Sequence, residues 1–134
     1  MSWVVTIPGT PISGNHANKI GKGYRKLRDG SVGSYPKIVK TEEAEAYMAG
    51  AAMIVRAAKP PGWKWSGGFV VSEWRLWLGP GKPLDFTNVC KTVEDVIFPV
   101  LGVDDVWSMP RCMSIERGCP PNEVRVEVTI DADR

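Results

Sequence analysis

Two short stretches hold the residues best suited to phosphate chemistry: Asp85-Phe-Thr87-Asn88-Val-Cys-Lys91 and Gly102-Val-Asp104-Asp105. A hard cation such as Mg²⁺ takes oxygen ligands and only a few carboxylates, and leaves water and substrate phosphate to complete its octahedron. Asp85, Asp104 and Asp105 are the carboxylates placed for that task. Clustered carboxylates repel and raise one another's pKa, so the cluster is favourable mainly with a cation inside it. Lys91 lies one helical turn beyond Thr87 and shares its face. There its ammonium could hold a phosphate or offset charge that builds in a transition state, helped by N–H groups at the helix start. A purely structural reading uses the same residues: Asp85 caps a helix, Lys91 pairs with Glu94 or Asp95, and Asp104 and Asp105 form a turn.

The elements around these stretches decide whether they meet. Residues 69–78 (FVVSEWRLWL) alternate Val70, Ser72, Trp74, Leu76 and Leu78 on one face with Phe69, Val71, Glu73, Arg75 and Trp77 on the other, which is a strand period. From Asn88 to Phe98 the apolar Val89, Val93, Val96 and Ile97 recur by threes and fours, which predicts a helix stopped at Pro99. Asp85 and Thr87 both sit where its N-cap would be. Asp85 thus follows a strand and opens a helix, and Asp104 and Asp105 begin the next strand. If those strands are neighbours and the helix packs back across them, the carboxylates meet on one sheet edge.

The remaining elements are legible by the same rules. Residues 3–7 (WVVTI) read as a first strand, broken by Pro8, Gly9 and Pro11. A helix begins at Thr41 as N-cap, with acids in its first turn and Tyr47, Ala51, Ile54 and Ala58 on one face. The last strand turns Val124, Val126, Val128 and Ile130 inward. The resulting order is β, α, β, α, β, β, an α+β fold with a small mixed or antiparallel sheet and two main helices packed against it.

At 134 residues the chain is expected to be a single domain spanning 1–134. Hydrophobic residues at 43% and charged residues at 24% argue against disordered, collagen-like and coiled-coil classes. No apolar run approaches the ~20 residues that span a bilayer, and the N-terminus lacks the pattern of a signal peptide, so a cytoplasmic location with no membrane partner is expected. Three cysteines without a CxxC pair and a single histidine suggest neither a disulfide framework nor a zinc site. A net charge of +2 identifies no partner, but its distribution is uneven. Lys19, Lys22, Arg25, Lys26, Arg28, Lys37 and Lys40 face the single acid Asp29, among several glycines. Residues 19–40 read as a basic mobile loop suited, with Tyr24 and Tyr35, to a phosphate backbone, or else as a solvated loop with no ligand.

The stretch resembles the signature of the RusA family of Holliday-junction resolvases, common in phages and prophages: roughly D-x-D-N-x-x-K, a helical run with a further acid, then G-x-x-x-D-D. This chain offers Asp85, Asn88 and Lys91, then Glu94-Asp95, then Gly102-Val-Asp104-Asp105, with the glycine nearer the aspartate pair than in that pattern. Residues 5–15 (VTIPGTPISGN) are similar to the family's opening strand, proline-rich turn and Asn, here Asn15, and the helix after the basic loop is similar to its first helix. The resemblance covers nearly the whole chain in order. It implies a homodimeric crossover junction endodeoxyribonuclease of DNA recombination and repair that nicks two strands of branched DNA symmetrically, with Mg²⁺ or Mn²⁺. By position, Asp85 and Asp105 would be catalytic metal ligands and Asp104 a further ligand or supporting acid. Lys91 would be the catalytic or phosphate-positioning lysine, Asn88 would orient, and Asp95 would support. DNA would meet Asn15 and the basic residues from Lys19 to Lys40. Thr87 stands where the family has its second aspartate, so the acidic cluster is poorer by one charge, with a hydroxyl as a weaker ligand.

Two other readings compete. One is a branched-DNA-binding protein with weak or no catalysis, which Thr87 favours. The other is a protein-interaction domain that uses the six tryptophans, of which Trp63, Trp65, Trp74 and Trp77 lie close in sequence.

Overall fold

The computed structural model describes residues 2–12, 18–81 and 83–131; Asn15 lies outside them. In chain order come strand β1 (Ser2–Pro8), strands β2 (Asn18–Lys26) and β3 (Val32–Lys40), helix α1 (Glu42–Ala58) and strand β4 (Val70–Trp77). Helix α2 (Phe86–Leu101), a 3-10 turn (Asp105–Trp107), strand β5 (Ser108–Glu116) and strand β6 (Arg125–Asp131) follow. The fold is α+β: a four-stranded mixed sheet in the order β1-β6-β4-β5 carries both helices, and β2 and β3 pair in a sheet of their own. Among the described residues, no helix is long and apolar enough to cross a membrane.

Strand alternation builds the core. Trp3, Val5 and Ile7 of β1, Val126, Val128 and Ile130 of β6, and Val70, Trp74 and Leu76 of β4 all point to the helical side. Val128 is the register partner of both Val5 and Trp74, so three strands converge on one layer. Against it pack Ala51 and Val55 of α1 and Val89, Val93, Val96, Ile97 and Leu101 of α2. Trp74 is the largest side chain fully removed from solvent, and its Nε1 donates to Ser72 Oγ at 2.8 Å, so burial leaves the indole satisfied. Phe86 meets it edge-on at 5.9 Å between centroids. Trp74→Ala is therefore expected to destabilise the fold by about 3–5 kcal/mol in urea unfolding, through lost burial and the cavity left behind.

The helices start as their sequences dictate. Thr41 Oγ1 accepts the Ala44 N–H at 3.1 Å, with Glu42, Glu43 and Glu45 at the positive end of the α1 dipole. Asp85 caps α2 by accepting the Thr87 N–H at 2.9 Å. Pro99 does not stop α2. It sits inside the last turn, and the helix ends at Gly102, whose φ of 71° suits the left-handed cap that bonds back to Phe98. A proline late in a helix forfeits one N–H, and the donor lost here is the one that would reach the Asp95 carbonyl.

Residues 19–40 are not a loop. They form a β-ribbon running in register from Asn18 opposite Lys40 to Lys26 opposite Val32. Its turn is closed by Leu27 N–H to Ser31 O at 2.8 Å and by Gly30 at φ +87°. Asp29 accepts from Ser31 N at 2.9 Å and Ser31 Oγ at 2.6 Å, and these bonds hold its carboxyl below the ordinary aspartate value. Glycine serves here as a floor rather than a hinge. A Cβ on Gly21 would lie 2.8 Å from a Val39 methyl, and one on Gly23 would run into the Tyr35 ring. Both large side chains lie across the opposite strand, where only glycine leaves room.

Candidate functional site

β4 and β5 are neighbours, as the geometric argument required, but they run parallel. A parallel pair needs a crossover, and α2 supplies it by carrying the chain from the end of β4 back to the start of β5. Asp85 therefore opens one end of α2, and Asp104 and Asp105 follow the other. The carboxylates do not gather at a single sheet edge. They are linked by a face of the helix.

That face lines a recess of about 250 Å³. Thr87, Lys91, Glu94 and Asp95 recur along α2 at helical spacing and face it together, with Phe86 and Cys90 beside them. Asp105 enters from the 3-10 turn and Pro110 from β5. A second hollow of about 190 Å³ continues past Pro99 and Val103 and shares Glu94, Asp95 and Asp105. Asp105 thus stands at the level of Glu94 and Asp95. By helical rise Asp85 is about 14 Å away along the axis, next to Phe86 and Thr87 at the other mouth.

The two outer aspartates are held as caps. Asp85 Oδ1 takes the Thr87 N–H, and Asp104 Oδ1 takes the Val106 N–H at 3.1 Å, so each orders the turn that presents its neighbour. Neither lines the recess. Asn88 is half-buried beside the recess rather than in it, and its carbonyl accepts Thr92 Oγ1 at 3.1 Å. Lys91 is exposed, and among the described residues no carboxylate lies within ion-pairing distance of it. Its ammonium is available to an anion entering the recess. Lys19, Lys22, Arg25, Lys26, Arg28, Lys37 and Lys40 are all exposed on the ribbon and do not line the recess.

Glu94 is the site residue that the spacing of aspartates did not single out. It is half-buried, its Oε1 accepts from Cys90 Sγ at 3.0 Å, and its Oε2 accepts from Ser108 Oγ. It ties α2 to the first residue of β5 and so fixes the 3-10 turn that carries Asp105. Burial and the neighbouring carboxylate push the Cys90 thiol well above its ordinary pKa, so it stays protonated and donates to Glu94. The signal was present in the helical offsets: a residue seven after Thr87 returns to the same face.

The donor set is hard and oxygen-rich: the Asp95 and Asp105 carboxylates, Glu94 behind them, and the Thr87 hydroxyl. Among the described residues, no three His, Cys, Asp or Glu side chains stand close enough to hold an ion by themselves. One or two carboxylates with water and substrate phosphate is the pattern Mg²⁺ adopts, and these residues fit it. Compared with known proteins, the chain matches no family model, and no curated protein matches it.

Proposed function

We propose that this protein is a divalent-metal-dependent endonuclease of the RusA type, acting in the cytoplasm as a homodimer on branched DNA such as a four-way junction. The observation that supports this reading is the meeting of Asp105 with Asp95, Glu94, Lys91 and Thr87 in one recess, on the two motifs that carry the family resemblance. Asp105 and Asp95 would hold Mg²⁺ or Mn²⁺; Thr87, about 12 Å back along α2 by helical rise, is too far to share that ion and would instead meet water or substrate oxygen at its own end of the recess. The ion, when bound, supplies Lewis-acid polarisation of the phosphoryl group and acidifies water. Lys91 reaches the same recess from one turn beyond Thr87, binds the scissile phosphate and offsets the charge that grows on it as a water oxygen bonds to phosphorus and the P–O bond to the leaving 3′ oxygen breaks. Glu94 keeps Asp105 oriented through Ser108. Asp85 adds negative charge at the far mouth and, as N-cap, sets the first turn of α2. The basic ribbon supplies affinity for the phosphate backbone and carries no base code of its own.

The reading is tested with the intact protein and a synthetic four-way junction labelled on each strand. Paired, symmetric nicks in Mg²⁺ or Mn²⁺, abolished by chelation and absent on linear duplex, are the expected result. Tight binding without nicks in either metal would instead support the branched-DNA-binding protein, a reading that Thr87 and the capping roles of Asp85 and Asp104 favour. Binding no tighter to a junction than to linear duplex would overturn both.

A further inference from the structure

Helix α1 buries Ala44, Ala51 and Val55 against the sheet and turns its opposite side to solvent. On one flank of that exposed side Glu45, Ala49, Ala52 and Arg56 fall on one stripe by helical spacing, with Ala52 half-buried against the core, and Met53 farther round is 69% exposed. Met48, Ala49, Ala52 and Arg56 also line a groove of about 660 Å³ that runs between α1 and Pro99 and Val100 of α2. Among the described residues, the side chains of Glu42, Glu45 and Arg56 make no hydrogen bond or ion pair, so these charges are unspent within the chain.

The order of charges along the stripe is self-complementary. Glutamates occupy the first turn and Arg56 the last, with the small run Ala49-Gly50-Ala51-Ala52 between them. A twofold axis perpendicular to the helix at that run brings a second α1 antiparallel to the first. Along the stripe, Glu45 then stands level with Arg56 of the second copy and Ala49 with Ala52. The small run lets the helices approach closely. A parallel arrangement would set glutamates against glutamates. Lys59 contributes less, since its Nζ is turned to Val100 O at 3.4 Å and to the Trp63 ring.

We infer that α1 is a self-association face on which a second copy of this chain docks antiparallel, its register set by Glu45–Arg56 pairs repeated about the axis. The inference stands on α1 alone and names the surface that the twofold assembly of the proposed nuclease would use.

Sedimentation equilibrium of the full chain, without DNA or metal, tests it separately from cleavage. The wild type is expected to dimerise at micromolar concentration. Arg56→Glu and Glu45→Arg each set like charges face to face at two symmetric places and weaken association by about tenfold or more. The combined Glu45→Arg and Arg56→Glu protein restores it to within about threefold, because the swapped charges meet again across the axis. A monomeric wild type, single variants that associate as the wild type does, or a combined variant as weak as the singles would each overturn the inference. Ala49→Cys in a Cys112→Ser background guards against misfolding of the charge variants: mild oxidation links two chains through position 49 and does not do so through Thr6→Cys on the exposed face of β1. Equal crosslinking at both positions would overturn it as well.

Discussion

Asp105→Asn is expected to lower the rate of four-way junction cleavage in Mg²⁺ by about a thousandfold, the scale on which a single preorganised electrostatic contact contributes to catalysis. The change removes one negative charge and keeps the shape of the side chain. Asp105 is exposed and makes none of the capping bonds that its neighbour Asp104 makes, so the 3-10 turn survives. Junction affinity should change by no more than about threefold, since in the proposed reading most phosphate contacts belong to the basic ribbon. Asp85→Asn is the informative companion. Asn caps a helix as well as Asp does, so α2 keeps its start and any loss of cleavage reports the charge at the far mouth of the recess. Full activity in Asp105→Asn would move the metal out of the recess. Loss of binding in a folded Asp105→Asn protein would show that this carboxylate orders the DNA surface rather than the cation.

How far the sequence alone reached is best judged residue by residue. Caps were legible because their cause is local: Thr41 for α1, and Asp85 or Thr87 for α2, have side chains that can accept a nearby N–H, and Asp85 is the one that does. The inward face of β6 was legible, and the two faces of β4 were separable, because alternation with period two survives packing. The end of α2 was misplaced, since a proline in the last turn costs one hydrogen bond, and the burial of Phe98 and Leu101 on either side of it outweighs that cost. Strand direction was not legible. Whether the chain after α2 begins a parallel or an antiparallel neighbour of β4 is decided by the whole sheet, and that choice stretched the two arms of the candidate site along a helix face. The ribbon was hidden for a different reason. Gly21 and Gly23 look like loop residues until the opposite strand is known, and only then do Val39 and Tyr35 account for them. The one local clue was Asp29-Gly30, a pair that favours tight hairpin turns.

Replacing Lys22, Arg25, Lys26 and Arg28 together by Gln should weaken junction binding by roughly two orders of magnitude near 0.1 M salt and flatten its salt dependence. Lys22 and Lys26 alternate with Arg25 along β2, so they project from opposite faces of the ribbon, while Arg28 sits in the turn. Among the described residues the ribbon is a separate two-stranded sheet whose cations are exposed, and such a ribbon can set both faces against phosphates, as it would where two DNA arms diverge. If all four cations contact phosphates, the slope of log K against log salt falls by about 3.6, close to one unit for each counterion no longer released. If only the lysine face meets the backbone the fall is about 1.8, and if only the Arg25 face does it is about 0.9, so the pair Lys22→Gln with Lys26→Gln, set against Arg25→Gln, separates the cases. The measurement is a binding titration in Ca²⁺, or in chelator, at several salt concentrations, so that cleavage does not intervene. The ribbon's turn is held by Asp29 and Ser31, and none of the four side chains takes part in that closure, so the hairpin should keep its fold. An unchanged slope in the fourfold variant would take the ribbon out of the DNA interface and leave the recess without the surface that delivers its substrate.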